Sequence, residues 1–487
     1  MHSHYINGTW KKGNGPVLVS IDPSSSESIW QGNEATEEEI EEAVSSAEKA
    51  FTRWSDLGLD GRLKYLYDFK KILAKNQKEL ALAISQETGK PLWESLSEVA
   101  SMINKVDISK DANNARCREA SHAQTLGTLT VRHRPYGVMA VFGPYNFPGH
   151  VPYGQIIPAL LAGNTIVHKP SELTPLVGEK IFRLWEETKI PPGVINLVQG
   201  GKETGEKLLC HPRPHGFLFT GSWKTGQHFA KTLSNNPDKI LALEMGGNNP
   251  LVIGEISDFR AAAYMTIQSA FITSGQRCTC ARRLIVPEGE RGDTFITALI
   301  EMTKTLKVGK YGDQPEPFMG PVISKEAAKG ILDKKQDLLN KGAVELLALK
   351  QLDLGPAFLS PGIIDVTQIR EKSDEEIFGP LLQVVRVSNF VSAIEEANRT
   401  QYGLTAGLLS DNSAEYHAFH RKIQAGVINW NTPLTGLSGI APFGGVKHSG
   451  NHRPVGFYAI DFCAYPVSSL EAQDLKIPAA ILPGVTP

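Results

Sequence analysis

A chain of 487 residues is long enough for two or three domains and a large buried core. Its 50 basic and 52 acidic residues leave a net charge of −2, which gives no electrostatic reason to expect nucleic acid or an anionic membrane as a partner. Charged residues at 21% and hydrophobic residues at 41% describe an ordinary soluble globular protein.

Met1 to Trp10 lack the apolar stretch of a signal peptide, and no uninterrupted apolar run is long enough to span a bilayer. Cys117, Cys210, Cys278, Cys280 and Cys463 are few and mostly scattered, as suits a reducing compartment. The expected location is the cytoplasm.

Residues 1–35 read as short strands and turns, with Tyr5 to Trp10 and Val17 to Ile21 extended. A helix is predicted from Thr36, whose hydroxyl can cap it and whose following acids Glu37, Glu38 and Glu39 favour the positive helix end. Ile40, Ala43, Val44, Ala47, Ala50, Phe51 and Trp54 then recur at the spacing of an amphipathic helix. Further helices are expected from Asp60 to Thr88, broken near Asn76, and from Leu92 to about Cys117. Ala123 to Arg134 alternates like a strand and reads as an arm or hairpin.

The rhythm then changes. Short apolar runs at 138–142, 165–168, 194–198 and 216–220 alternate with helical stretches, which implies a parallel sheet with crossover helices. Ligands on such sheets bind at the carboxyl ends of the strands. Past Glu244 the alternation returns at 250–253, a helix from about Asp258 to Ile272, and 283–286, suggesting a second α/β domain. Gln351 to Pro361 is expected as a surface loop, and Ala464 to Pro487 as a Pro-rich tail outside the core.

Cys278 follows a Ser-Gly-Gln turn between Arg277 and Arg282, where nearby cations are expected to lower a thiol pKa and favour the nucleophilic thiolate. Taken alone, Cys278 could equally be a buried structural thiol, Asn146 a turn residue and Glu244 a helix cap. Cys278-Thr-Cys280 has no second Cys/His pair at ligand spacing, so no metal is expected. No G-x-G-x-x-G follows a strand here.

Pro144-Tyr-Asn-Phe-Pro148, Lys169-Pro-Ser-Glu172, Phe219-Thr-Gly-Ser222, Leu243-Glu-Met-Gly-Gly247, Gly275-Gln-Arg-Cys278, Glu376-Ile-Phe-Gly-Pro380 and Pro442-Phe-Gly-Gly445 occur in this order. Through them the chain resembles the aldehyde dehydrogenase superfamily over nearly its whole length. The resemblance implies an α/β fold with a Rossmann-type NAD domain, an α/β catalytic domain and a small β oligomerisation arm. The expected division is 1–117 and 137–246 for NAD binding, 247–447 for catalysis, and 118–136 with 458–487 for the arm and tail.

The same resemblance makes Cys278 the nucleophile, Asn146 the oxyanion donor and Glu244 the general base that hydrolyses the thioester. Lys169 and Glu172 are expected on the adenosine ribose, with the carboxylate disfavouring a 2′-phosphate and so favouring NAD. Gly221, Ser222 and Gly226 form the turn that faces the pyrophosphate. Glu376 is expected on the nicotinamide ribose, with Phe378 beside it.

Arg132-His-Arg-Pro135, Met245 to Pro250, Gln276 to Arg283 and Ser449-Gly-Asn-His-Arg-Pro454 are most similar to the succinylglutamate-semialdehyde dehydrogenases of arginine catabolism. Such a substrate carries two carboxylates, for which His150, Arg277 and Arg453 are candidates, with Asn431 and Phe443 as further substrate-wall residues. Some semialdehyde relatives carry an arginine where this chain has Gly154. The expected partners are a small aldehyde and a second copy of the chain, as a homodimer or a dimer of dimers. Alternatives are another acidic or amino-acid-derived semialdehyde and, in another class, a non-catalytic protein that keeps the fold.

Overall fold

The computed structural model describes residues 3–436, 438–477 and 481–486. Thr36 caps the first helix, Glu37–Asp56, in a reciprocal capping box with Glu39. The predicted break at Asn76 separates Gly58–Lys75 from Gln77–Thr88. The fourth helix, Leu92–Arg116, buries Glu94, Glu98, Val99, Met102, Lys105 and Val106 along one face.

A seven-stranded sheet runs in the order Ile240–Met245, Gly216–Gly221, Val138–Phe142, Thr165–Lys169, Ile195–Leu197, His4–Ile6 and Thr9–Lys11. Its first five strands are parallel. Among the short strands and turns expected of residues 1–35, Tyr5 to Trp10 is a hairpin, because Asn7 (φ 52°) and Gly8 (φ 76°) take left-handed turn conformations. From Val138–Phe142 the chain works outward to Ile195–Leu197, then returns to lay Gly216–Gly221 on the other side. The strand order therefore reverses between Val138–Phe142 and Gly216–Gly221, the kind of switch point at whose carboxyl strand ends ligands bind.

A second seven-stranded sheet has the order Val344–Leu347, Gly362–Asp365, Leu381–Val387, Ala281–Pro287, Asn249–Ile253, Thr405–Leu409 and Val427–Trp430. Only its Val344–Leu347 edge is antiparallel. A third sheet joins Ala120–Gln124, Gly127–Pro135 and Ala464–Glu471.

Within the stretch expected as arm and tail, Ala464–Glu471 is an eight-residue strand that pairs along its whole length with 128–135; residues 478–480 and 487 lie outside the described residues. One expectation needs correction. The Gln351–Pro361 segment is not wholly superficial, since Ala357, Phe358 and Leu359 are buried in a cluster with Val322 and Leu349 or beside it.

Candidate active site

Helix Phe259–Phe271 ends in a short 3-10 turn, Ile272–Gly275, that delivers the chain to Cys278. Thr273 (φ 57°), Ser274 (φ 54°) and Gly275 (φ 72°) are all left-handed. The first two pay a steric cost that glycine escapes, so the surroundings must hold them. The Thr273 hydroxyl donates to the buried carboxylate of Glu94, and Ser274 Oγ donates to the Gly320 carbonyl at 2.7 Å. A Cβ at position 275 would collide with the Gly379 carbonyl.

Arg282 is buried beneath this loop and donates to the carbonyls of Gly275 (2.5 Å) and Arg277 (2.8 Å), with Glu376 at 3.5 Å. Arg277 points elsewhere, to Glu94 at 2.8 Å and over the Phe147 ring. Neither cation serves the thiol, and the expected lowering of its pKa is overturned. Burial, followed by the Glu244 and Glu376 carboxylates, pushes the half-buried Cys278 thiol well up. Asn249 Nδ2 fixes the far side of the loop through the carbonyls of Cys278 (2.6 Å) and Cys280 (2.9 Å).

Glu244 lies in the strand Ile240–Met245, buried, with Oε1 lacking a hydrogen-bond partner among the described residues. Burial raises its carboxyl to about 8, while a hydrogen bond from the Cys278 thiol works the other way. The strand is braced from the late segment Ser449-Gly-Asn451. Asn451 accepts from the Leu243 N–H at 2.7 Å and donates to the Leu241 carbonyl at 2.8 Å, and Ser449 Oγ donates to the Gly246 carbonyl at 2.8 Å. Asn146 is buried and donates one amide hydrogen to the Gln276 carbonyl at 2.9 Å. That bond fixes the side chain beside the nucleophile loop and, among the described residues, leaves its second N–H without a partner.

On the sheet side, Ser222 caps helix Trp223–Thr232, its Oγ accepting from the Thr225 N–H at 3.2 Å. Gly226 lets this helix close on Met245, where a Cβ would collide with the sulphur. Gly221, at the strand end, lies against the Phe219 ring. The buried Thr220 hydroxyl beside it has no partner among the described residues. Lys169 ends its strand with Nζ 3.8 Å from the half-exposed Glu172 carboxylate. Gly246 has no room for a Cβ because the Glu376 carboxylate packs on it, and Phe378 lies edge-on to Tyr145 with centroids 6.1 Å apart. An unpartnered hydroxyl, a capped helix start and glycine-floored strand ends at the switch point fit a dinucleotide.

The substrate candidates divide. Arg277 does not present an open fork, since Glu94 already neutralises it. Asn431 spends its amide on Ser410, accepting from its N–H and donating to its carbonyl, both at 2.8 Å, and so holds a turn rather than a ligand. His150 opens helix His150–Ala162 with a buried, unpartnered Nδ1. Burial and the Lys105, Lys90 and Arg277 cations hold its pKa well below the ordinary value, so it is neutral. Among the described residues, Arg453 donates only to the carbonyls of Gly445 and His452. Phe443 pairs with Val455 in a two-residue ladder beside it. Sequence reading missed Glu94, Glu98, Lys105 and the bracing role of Asn451, and gave Arg282 to the thiol rather than to the loop carbonyls it holds. The available signal was charge at positions 94, 98 and 105, in register with buried Val99, Met102 and Val106 on one helix face.

The family model for the aldehyde dehydrogenase family matches residues 10–467. This chain belongs to the aldehyde dehydrogenase family. It is an oxidoreductase acting on aldehydes. It is 52% identical over 486 residues, 100% of both chains, to an N-succinylglutamate 5-semialdehyde dehydrogenase from Ectopseudomonas mendocina (strain ymp). A 1-pyrroline-5-carboxylate dehydrogenase from Thermus with bound NAD superposes with a TM-score of 0.90 at 29% identity, over 96% of this chain and 93% of that one. A P. syringae indole-3-acetaldehyde dehydrogenase in complex with NAD+ gives 0.91 at 29% identity over 96% of each. The family and these complexes support an NAD-type cofactor. No helix among the described residues is long and apolar enough to cross a membrane.

Proposed function

We propose that this enzyme oxidises N-succinyl-L-glutamate 5-semialdehyde to N-succinyl-L-glutamate, in arginine catabolism, with NAD rather than NADP. The observation that carries the substrate is the end-to-end 52% identity to the E. mendocina enzyme. In this reading Cys278 gives its proton to the hydrogen-bonded Glu244 carboxylate, which passes it on to solvent, and adds its sulphur to the aldehyde carbon. Asn146 Nδ2 and the Cys278 N–H donate to the resulting oxyanion. Lys169, Glu172, the Gly221–Gly226 turn, Glu376 and Phe378 would hold the dinucleotide, which supplies, when bound, an acceptor for the hydride leaving that carbon. Glu244 then takes a proton from the water that attacks the Cys278 thioester, releasing the acid and restoring the thiol.

Glu172 carries the preference for NAD, because its carboxylate would repel a 2′-phosphate on the ribose that Lys169 binds. The division into nucleotide, catalytic and oligomerisation parts, a cytoplasmic location and a homodimer or dimer of dimers built through the arm belong to the same proposal. Comparing kcat/KM over a panel of semialdehydes tests the substrate. A preference for the succinylated glutamate semialdehyde is expected, and a stronger preference for any other overturns it.

A further inference from the structure

Helix Leu92–Arg116 lays a stripe of side chains against the start of helix His150–Ala162, and each charge but one on that stripe is matched. Glu94 holds Arg277 and Thr273. Glu98 takes Lys90 at 2.5 Å and also accepts from the main-chain N–H groups of Gly149 and His150. Lys105 is the exception. It is 3% exposed, and no carboxylate offsets its burial, which lowers its pKa to about 8.

A buried ammonium without a counter-ion is costly, and a protein keeps one where a ligand supplies the missing charge. Lys105 lies against Gly154, where a Cβ would stand 3.5 Å from the Lys105 Nζ, an ordinary contact, and 2.9 Å from Val455 Cγ1, which leaves no room for a larger side chain there. Gly154 is one helical turn beyond His150, on the same face, and the neutral imidazole has a buried nitrogen with no partner among the described residues. His150 in turn comes four residues after Asn146, which is tied to the nucleophile loop. The start of helix His150–Ala162 thus faces one cation without a carboxylate partner and carries one imidazole nitrogen without a partner, among the described residues.

We propose that Lys105, across from the His150–Gly154 face, is the counter-ion for a carboxylate of the substrate remote from its aldehyde, with His150 completing the anion subsite. The inference rests on the reading of the substrate as an acidic semialdehyde. It makes Lys105 a determinant of selectivity and leaves the chemistry at Cys278 unchanged.

The test measures kcat and KM for N-succinylglutamate semialdehyde and for a neutral aldehyde of similar length, in wild type, Lys105→Met and Lys105→Arg. Loss of a charged hydrogen bond to the carboxylate should raise KM for the acidic aldehyde roughly ten- to a hundredfold. The acidic-to-neutral ratio of kcat/KM should fall with it, and Lys105→Arg should recover part of the loss. A Lys105→Met ratio equal to wild type overturns the proposal. If the methionine variant does not fold, Lys105→Gln is read instead by the thermal shift that N-succinylglutamate produces. The shift should shrink relative to wild type, and an undiminished shift overturns the proposal. A wild type that prefers a different carboxylate-bearing aldehyde overturns the substrate reading alone, and the ratio is then read on that aldehyde. A wild type indifferent to carboxylates overturns both.

Discussion

Glu244 and Cys278 share a buried site in which the carboxylate makes the thiol hold its proton more tightly, while the thiol's hydrogen bond partly offsets the rise that burial imposes on the carboxyl. Glu244→Gln removes the nearest anion from the thiol, so the pH midpoint for alkylation of Cys278 by iodoacetamide should move down. Turnover should still fall by about 10²–10⁴-fold because the thioester loses its base, which steady-state kinetics checks. The same carboxyl binds its proton better folded than unfolded, with about 8 against an ordinary 4.5. Its contribution to stability is therefore full below about pH 4.5 and lost as pH rises through 8. Thermal melts should accordingly find Glu244→Gln gaining on wild type at pH 8 and above but not at pH 4. Asn146→Ala, which removes a preorganised donor, should lower kcat by about 10²–10³-fold. Cys278, Glu244 and Asn146 were legible because each sits in a short motif. The error over Arg277 and Arg282 has an equally physical source, since closeness along the chain says nothing about which distant acid or carbonyl claims a guanidinium.

The left-handed run 273–275 shows how one element imposes strain and another holds it. Helix Leu92–Arg116 supplies Glu94, 1% exposed at its side chain, to the Thr273 hydroxyl and to Arg277. Glu94→Ala leaves that guanidinium short of its partner in a mostly buried site and should cost about 3 kcal/mol, measured by denaturant unfolding, with slower alkylation of Cys278 as the loop relaxes. The helices and parallel strands themselves could be read from periodicity, to within a residue or two at Val138–Phe142, Leu92–Arg116 and Phe259–Phe271. The buried charges on Leu92–Arg116 could not, because a charged residue on a helix normally marks its wet side. Only the packed partner helix shows that this side is dry.

For the whole molecule, the open question is the sheet formed by Ala120–Gln124, Gly127–Pro135 and Ala464–Glu471, whose side chains are largely exposed. Its outer strand, Ala120–Gln124, offers an unpaired edge within this chain. If that edge joins subunits as proposed, His122→Pro should reduce the mass measured by light scattering without lowering helical content by circular dichroism. The brace on Glu244 has a consequence of another kind. The proposed nucleophile, oxyanion donor and base are all encoded by residue 278, yet Ser449 and Asn451, which secure the strand carrying the proposed base, come more than a third of the chain later. While the ribosome is still adding those last residues, the emerging polypeptide holds every reactive group and lacks the clasp that sets them against one another. A nascent chain stalled before Ser449 should therefore be chemically complete and catalytically silent.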